Sequence, residues 1–90
     1  LHPSDVPDFL ADMQHFAAAT RAEAGCVFFS AAPETGQTGR ILVAERWRDQ
    51  RALTAHLEAP ATETFEKAWA DRMKAEILKF DAANERELME

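Results

Sequence analysis

His56 is the residue whose type and position best suit proton transfer. A neutral imidazole can take a phenolic proton near pH 7. One helical turn after Ala52 and Leu53, its side chain is expected to face a sheet. A histidine there can also act as a tie, bonding a carboxylate or carbonyl and locking its helix onto a strand. Both readings stand. Glu45 is the one charge on a strand face otherwise made of Ile41, Val43 and Trp47. A lone charge in such surroundings needs a partner. His56, across the following turn, is one choice, and Glu45 would then fix its tautomer or raise its basicity. An arginine such as Arg46 or Arg48 of a neighbouring chain is the other. Trp47 ends the strand and carries an indole N–H, a donor only. It can bond a substrate oxygen that becomes negative, or serve as a core aromatic.

Phe28, Phe29, Phe65 and Trp69 can line a flat aromatic pocket, or fill a core. Arg72 falls on the Phe65–Trp69 face, where it would anchor an anion or snorkel outward. His2 and His15 have no carboxylate or cysteine at ligand spacing, so no metal site is expected. No glycine-rich phosphate loop is present, and no flavin or nicotinamide cofactor is expected. The single cysteine, Cys26, reads as a small buried hydrophobe rather than a nucleophile.

These side chains need elements to position them. A helix is expected over about 5–23, with Ser4 as N-cap and Pro7 in the first turn. Val6, Phe9, Leu10, Met13, Phe16, Ala17 and Thr20 follow its period, and Gly25 closes it. Residues 26–32 read as a strand, 33–39 as a turn and 40–47 as a second strand. In the first strand, Cys26 and Phe28 should oppose Val27, Phe29 and Ala31. Asp49 caps a short helix that stops before Pro60, and a further helix should run over about 60–74. Phe65, Ala68, Trp69, Arg72 and Met73 lie along one face of it, with Glu63 and Lys67 paired outside. Residues 75–81 look like a last strand, with Leu78 and Phe80 inward. The order is that of an α+β sandwich of the ferredoxin-like kind, one domain spanning 1–90. The chain begins at Leu1, and a first strand is expected to be missing in front of it.

Both strands are apolar on both faces, whereas one helix layer covers only one. A second sheet from another subunit would cover the other, so a homodimer is expected. Lys and Arg number 10 against 16 Asp and Glu, a net charge of −6. That argues against a nucleic-acid binder, which needs a basic face. No apolar run is long enough to span a bilayer. No signal peptide is visible, and a cytoplasmic location is expected.

Arg21-Ala22-Glu23-Ala24-Gly25-Cys26 after an amphipathic helix resembles the R-x-E-x-G-C segment of antibiotic biosynthesis monooxygenase domains. Glu45-Arg46-Trp47 resembles their E-x-W. Asp49, Leu53 and His56 match the W-x-D-x-x-x-L-x-x-H continuation, and Pro60 and Phe65 fall where that pattern expects them. Ala61 departs from it, since many members carry a second histidine there. The resemblance covers about residues 4–80. It implies a dimeric α+β barrel and a range of chemistries, including cofactor-free oxidation of anthrones and of quinols. The expected function is a cofactor-independent monooxygenase or quinol oxidase, with a hydroxyaromatic substrate and O2. His56, oriented by Glu45, would act as the base, Trp47 would steady the oxyanion, and Phe28, Phe65, Trp69 and Arg72 would hold the substrate. A non-catalytic binding module for a small hydrophobic metabolite is the alternative, and an isomerase or lyase on the same barrel is a third.

Overall fold

The computed structural model describes residues 1–89. A 3-10 turn, Pro3–Asp5, leads into helix α1, Val6–Arg21. Ser4 is not the N-cap. It is absorbed into the 3-10 turn, where the His2 ring accepts its backbone N–H at 3.1 Å, and Asp5 takes the cap position. The apolar spacing of α1 works as its period predicts. Phe9, Met13, Ala17 and Thr20 are buried along one stripe, and Val6, Leu10 and Phe16 flank it half-buried. The helix stops two residues earlier than expected because Glu23 N–H bonds Thr20 O at 3.0 Å, tightening the exit. Gly25 then turns the chain with φ +83°.

Strands β1, Cys26–Pro33, and β2, Ile41–Trp47, pair antiparallel. The register sets Phe29 opposite Glu45, Ala31 opposite Val43 and Pro33 opposite Ile41. It slips between Cys26, opposite Trp47, and Phe28, opposite Arg46, so Val27 is an extra residue in β1. This bulge corrects the expected facing of β1. Cys26 points to the same side as Phe29 and Ala31, against the core, while Phe28 turns to the outer side. Phe28, Val27 and Leu42 are about half exposed there.

Asp49 caps helix α2, Gln50–Glu58, its Oδ1 accepting Ala52 N–H at 2.9 Å. That bond, more than the neighbouring Arg48, holds the Asp49 carboxyl below its usual range. Ala59 is extended before Pro60, which opens helix α3, Pro60–Trp69. Helix α3 is shorter than expected, because the chain leaves it in a turn closed by Arg72 N–H on Trp69 O at 2.9 Å. The outer Glu63–Lys67 pair forms at 2.8 Å.

Phe9, Met13, Ala17, Phe29 and Trp69 form the core between the helices and one face of the hairpin. Phe9 meets Phe65 and Trp69 edge-on, with centroids 5.4 and 5.0 Å apart. This is an α+β arrangement of the ferredoxin-like kind, with one helix layer over an antiparallel sheet. Residues 75–81 form no regular element and do not join the sheet, which has two strands among the described residues. Leu78 and Phe80 are therefore not inward but 84% and 88% exposed. The alternating pattern there is a local signal, whereas a strand exists only through a partner. The segment and the tail beyond it touch the body through polar ends, Lys79 on Gln50 at 2.9 Å and Glu85 on Arg46 at 2.8 Å. Among the described residues no helix is long and apolar enough to cross a membrane.

Candidate functional site

His56 lies in the last turn of α2 with 3% of its surface exposed, facing α1 and the sheet. Its position is tied from below. Thr62, buried at the start of α3, donates its hydroxyl to His56 O at 2.6 Å, a second bond on a carbonyl that already accepts Ala59 N–H at 3.1 Å. The indole of Trp47 lies against the imidazole, centroids 4.7 Å apart and planes 30° from parallel. Phe16 and Phe29 complete the surround at 5.7 and 6.3 Å.

The carboxylate on His56 is Glu23, not Glu45. Glu23 Oε2 stands 2.8 Å from His56 Nδ1. Glu45 instead accepts the indole N–H of Trp47 at 2.7 Å. The expected Glu45–His56 pair is thus replaced by two separate pairs. The reason is reach: the carboxylate of Glu45 finds a donor two residues along its own strand. Trp47 in turn has its one donor engaged, so it meets the imidazole by its ring.

Glu23 arrives from the turn between α1 and β1. That turn is clamped to the start of α2 by Arg48 N–H on Gly25 O at 2.7 Å. Gly25 packs so closely on Ala52 that a Cβ at position 25 would collide with the Ala52 methyl group. Ala52 is one turn before His56, so the clamp sets the turn against the face of α2 that carries the imidazole. Cys26, next in the chain, has its thiol pushed up by burial and then by the charges of Glu23 and Glu45. It stays a protonated thiol.

The expected substrate-binding residues are scattered. Phe28 is on the outer face of the sheet, sent there by the bulge. Phe65 stacks on Phe16 at 4.6 Å and reaches His56 only through it. Trp69 is a core residue, 2% exposed, with its N–H on Asp12 Oδ2 at 3.0 Å. Arg72 is not among the groups around His56. Its guanidinium lies 3.9 Å above the Trp69 ring on the outside and bonds Ala68 O. Two surface concavities, one lined by Asn84, Arg86, Glu87 and Leu88, the other by Leu1, His2 and Asp71 to Lys74, include none of the groups around His56. Among the described residues no three His, Cys, Asp or Glu side chains cluster as a metal site.

A helix-covered antiparallel hairpin with a histidine packed between helix and sheet defines a small α+β domain of the ferredoxin-like class. Residues 1–68 match the model of the antibiotic biosynthesis monooxygenase family, and the chain belongs to that family. Among solved structures, a candidate antibiotic biosynthesis monooxygenase of Deinococcus radiodurans is 26% identical with a TM-score of 0.82, over 98% of this chain and 86% of that one. A structure of protein YJCS shares the fold at 23% identity and a TM-score of 0.67, over 71% of this chain and 69% of that one. No curated protein matches.

Proposed function

We propose that the domain is a small cofactor-independent monooxygenase or quinol-oxidising enzyme acting on a hydroxyaromatic with O2. The observation that carries this reading is His56: buried, stacked under an indole, surrounded by phenyl rings, and bonded through Nδ1 alone. No unpartnered side-chain nitrogen or oxygen is fully sealed among the described residues, so Nε2, which has no partner there, keeps a sliver of exposed surface on a ring that is 3% exposed. A base in such a place can take a proton from a phenol or an activated ring carbon. The anion passes one electron to O2, and the radical and superoxide recombine to a hydroperoxide. A CH2 centre then becomes C=O as one water leaves; a hydroquinone instead gives quinone and hydrogen peroxide. The protein has to bind, deprotonate and exclude bulk water. Family membership supports the reaction class.

The reading includes a homodimer packed through the outer sheet face. Val27, Phe28 and Leu42 are exposed there, and a second copy would cover them. A specific observation favours the alternative, a binding module: Trp47 has its N–H on Glu45 rather than free for a developing oxyanion.

An oxygen electrode with a panel of hydroquinones and anthrones decides between them. The enzyme consumes O2, and His56→Ala lowers turnover by about 10²–10⁴-fold while the chain stays folded. Ligand binding without O2 uptake establishes the module. A His56→Ala variant that melts earlier yet keeps its activity per folded molecule makes the histidine a structural tie.

A further inference from the structure

We propose that Glu23 is the positioning residue of His56, fixing which ring nitrogen is free to act. The inference rests on the reading of His56 as the base, and its own observable does not need a substrate. An ionised carboxylate only accepts hydrogen bonds. With Glu23 Oε2 at 2.8 Å, Nδ1 must therefore be the nitrogen that carries the proton. The lone pair of the neutral ring is then on Nε2, the nitrogen without a partner among the described residues. When Nε2 takes a proton, the new imidazolium stands beside the Glu23 charge, which stabilises it without itself being protonated.

The fold supports this pairing independently of the contact itself. Glu23 is followed two residues later by Gly25, whose missing Cβ lets the turn close on Ala52. Arg48 N–H on Gly25 O fastens the same turn to the start of α2. Thr62 holds the far end of α2 at His56 O. Two other carboxylates on the neighbouring strand and helix cap are engaged, Glu45 by the Trp47 indole and Asp49 by Ala52 N–H. Trp47 lies along one face of the ring, leaving the imidazole little freedom to turn. A carboxylate that holds the nitrogen away from substrate is the recurring way to fix histidine tautomer and orientation.

The test is ring nitrogen–proton correlation NMR on 15N-labelled protein near neutral pH, with His56→Ala identifying the signals of His56 against His2 and His15. The expected spectrum shows His56 as the Nδ1–H tautomer. Glu23→Ala abolishes that form in favour of Nε2–H and lowers kcat by about 10–100-fold, with KM little changed. Glu23→Gln, which keeps the size and an acceptor, retains more activity than Glu23→Ala and keeps the test open should the alanine variant fail to fold. A wild-type ring protonated at Nε2, or a folded Glu23→Ala protein that retains Nδ1–H, overturns the proposal. If no hydroxyaromatic is turned over but the tautomer changes as expected, the functional reading fails and the positioning by Glu23 stands.

Discussion

Trp47 donates its indole N–H to Glu45 Oε1 at 2.7 Å, two residues back on the same face of β2. The bond anchors the polar edge of the indole at the strand and leaves its flat face against His56. Glu45 thus bears on the imidazole only through the tryptophan ring between them.

Glu45→Gln retains an acceptor for the indole. Turnover should fall by less than about tenfold, the order of one net hydrogen bond, against the far larger effect of His56→Ala. Steady-state kinetics of both variants in one buffer check this. A Glu45→Gln deficit as deep as that of His56→Ala would make Glu45 a direct participant.

Phe9 is 4% exposed and meets two aromatic rings edge-on. Phe9→Ala should cost about 3–5 kcal/mol in a urea melt, because α1, α3 and the hairpin all pack on the space it fills. A loss below about 0.5 kcal/mol, as at a surface position, would mean the core is not centred on this face of α1.

Asp49 has its carboxyl held low by Ala52 N–H. A carboxyl depressed in the folded state adds stability above its unfolded value, about 3.9, and loses it as pH falls through the folded value. Asp49→Asn keeps the cap but cannot titrate. The advantage of the wild type over Asp49→Asn should be constant at neutral pH and shrink below about pH 4. Urea midpoints of the two proteins across that range test the sign.

The outer sheet face gives a further expected outcome. A dimer through it should bury at least about 1,600 Å² in total. Leu42→Glu places a charge in the middle of that face and should yield a folded monomer by light scattering at micromolar concentration. A wild type already monomeric there would remove the sheet-on-sheet arrangement.

Local features of the fold were legible from residue types alone. The period of Phe9, Met13 and Ala17 marked α1. Asp49 and Pro60 bounded α2, and Glu63 and Lys67 marked the outside of α3. What escaped was non-local. Glu23 and His56 are 33 residues apart, and nothing in their spacing joins them. The available signals were Gly25, a glycine with a packing role, and the place of Glu23 and His56 at fixed positions of the family pattern, neither of which pairs them. The run Val27-Phe28-Phe29 is apolar throughout, so alternation could not reveal which of its members was the extra one. Leu78 and Phe80 alternate as strand residues do, but no strand adjoins them among the described residues.

The extra residue in β1 bears on which length changes the strand tolerates. Because the slip falls between Cys26 and Phe28, a gene lacking the codon for Val27 would encode a strand of plain alternation in which every pair from Phe28 onward keeps its partner and its side. Losing the codon for Ser30 or Ala31 would instead invert one part of the strand relative to the other, turning core side chains outward. Within β1, Val27 is thus the position where evolution could shorten the chain without rewriting the register.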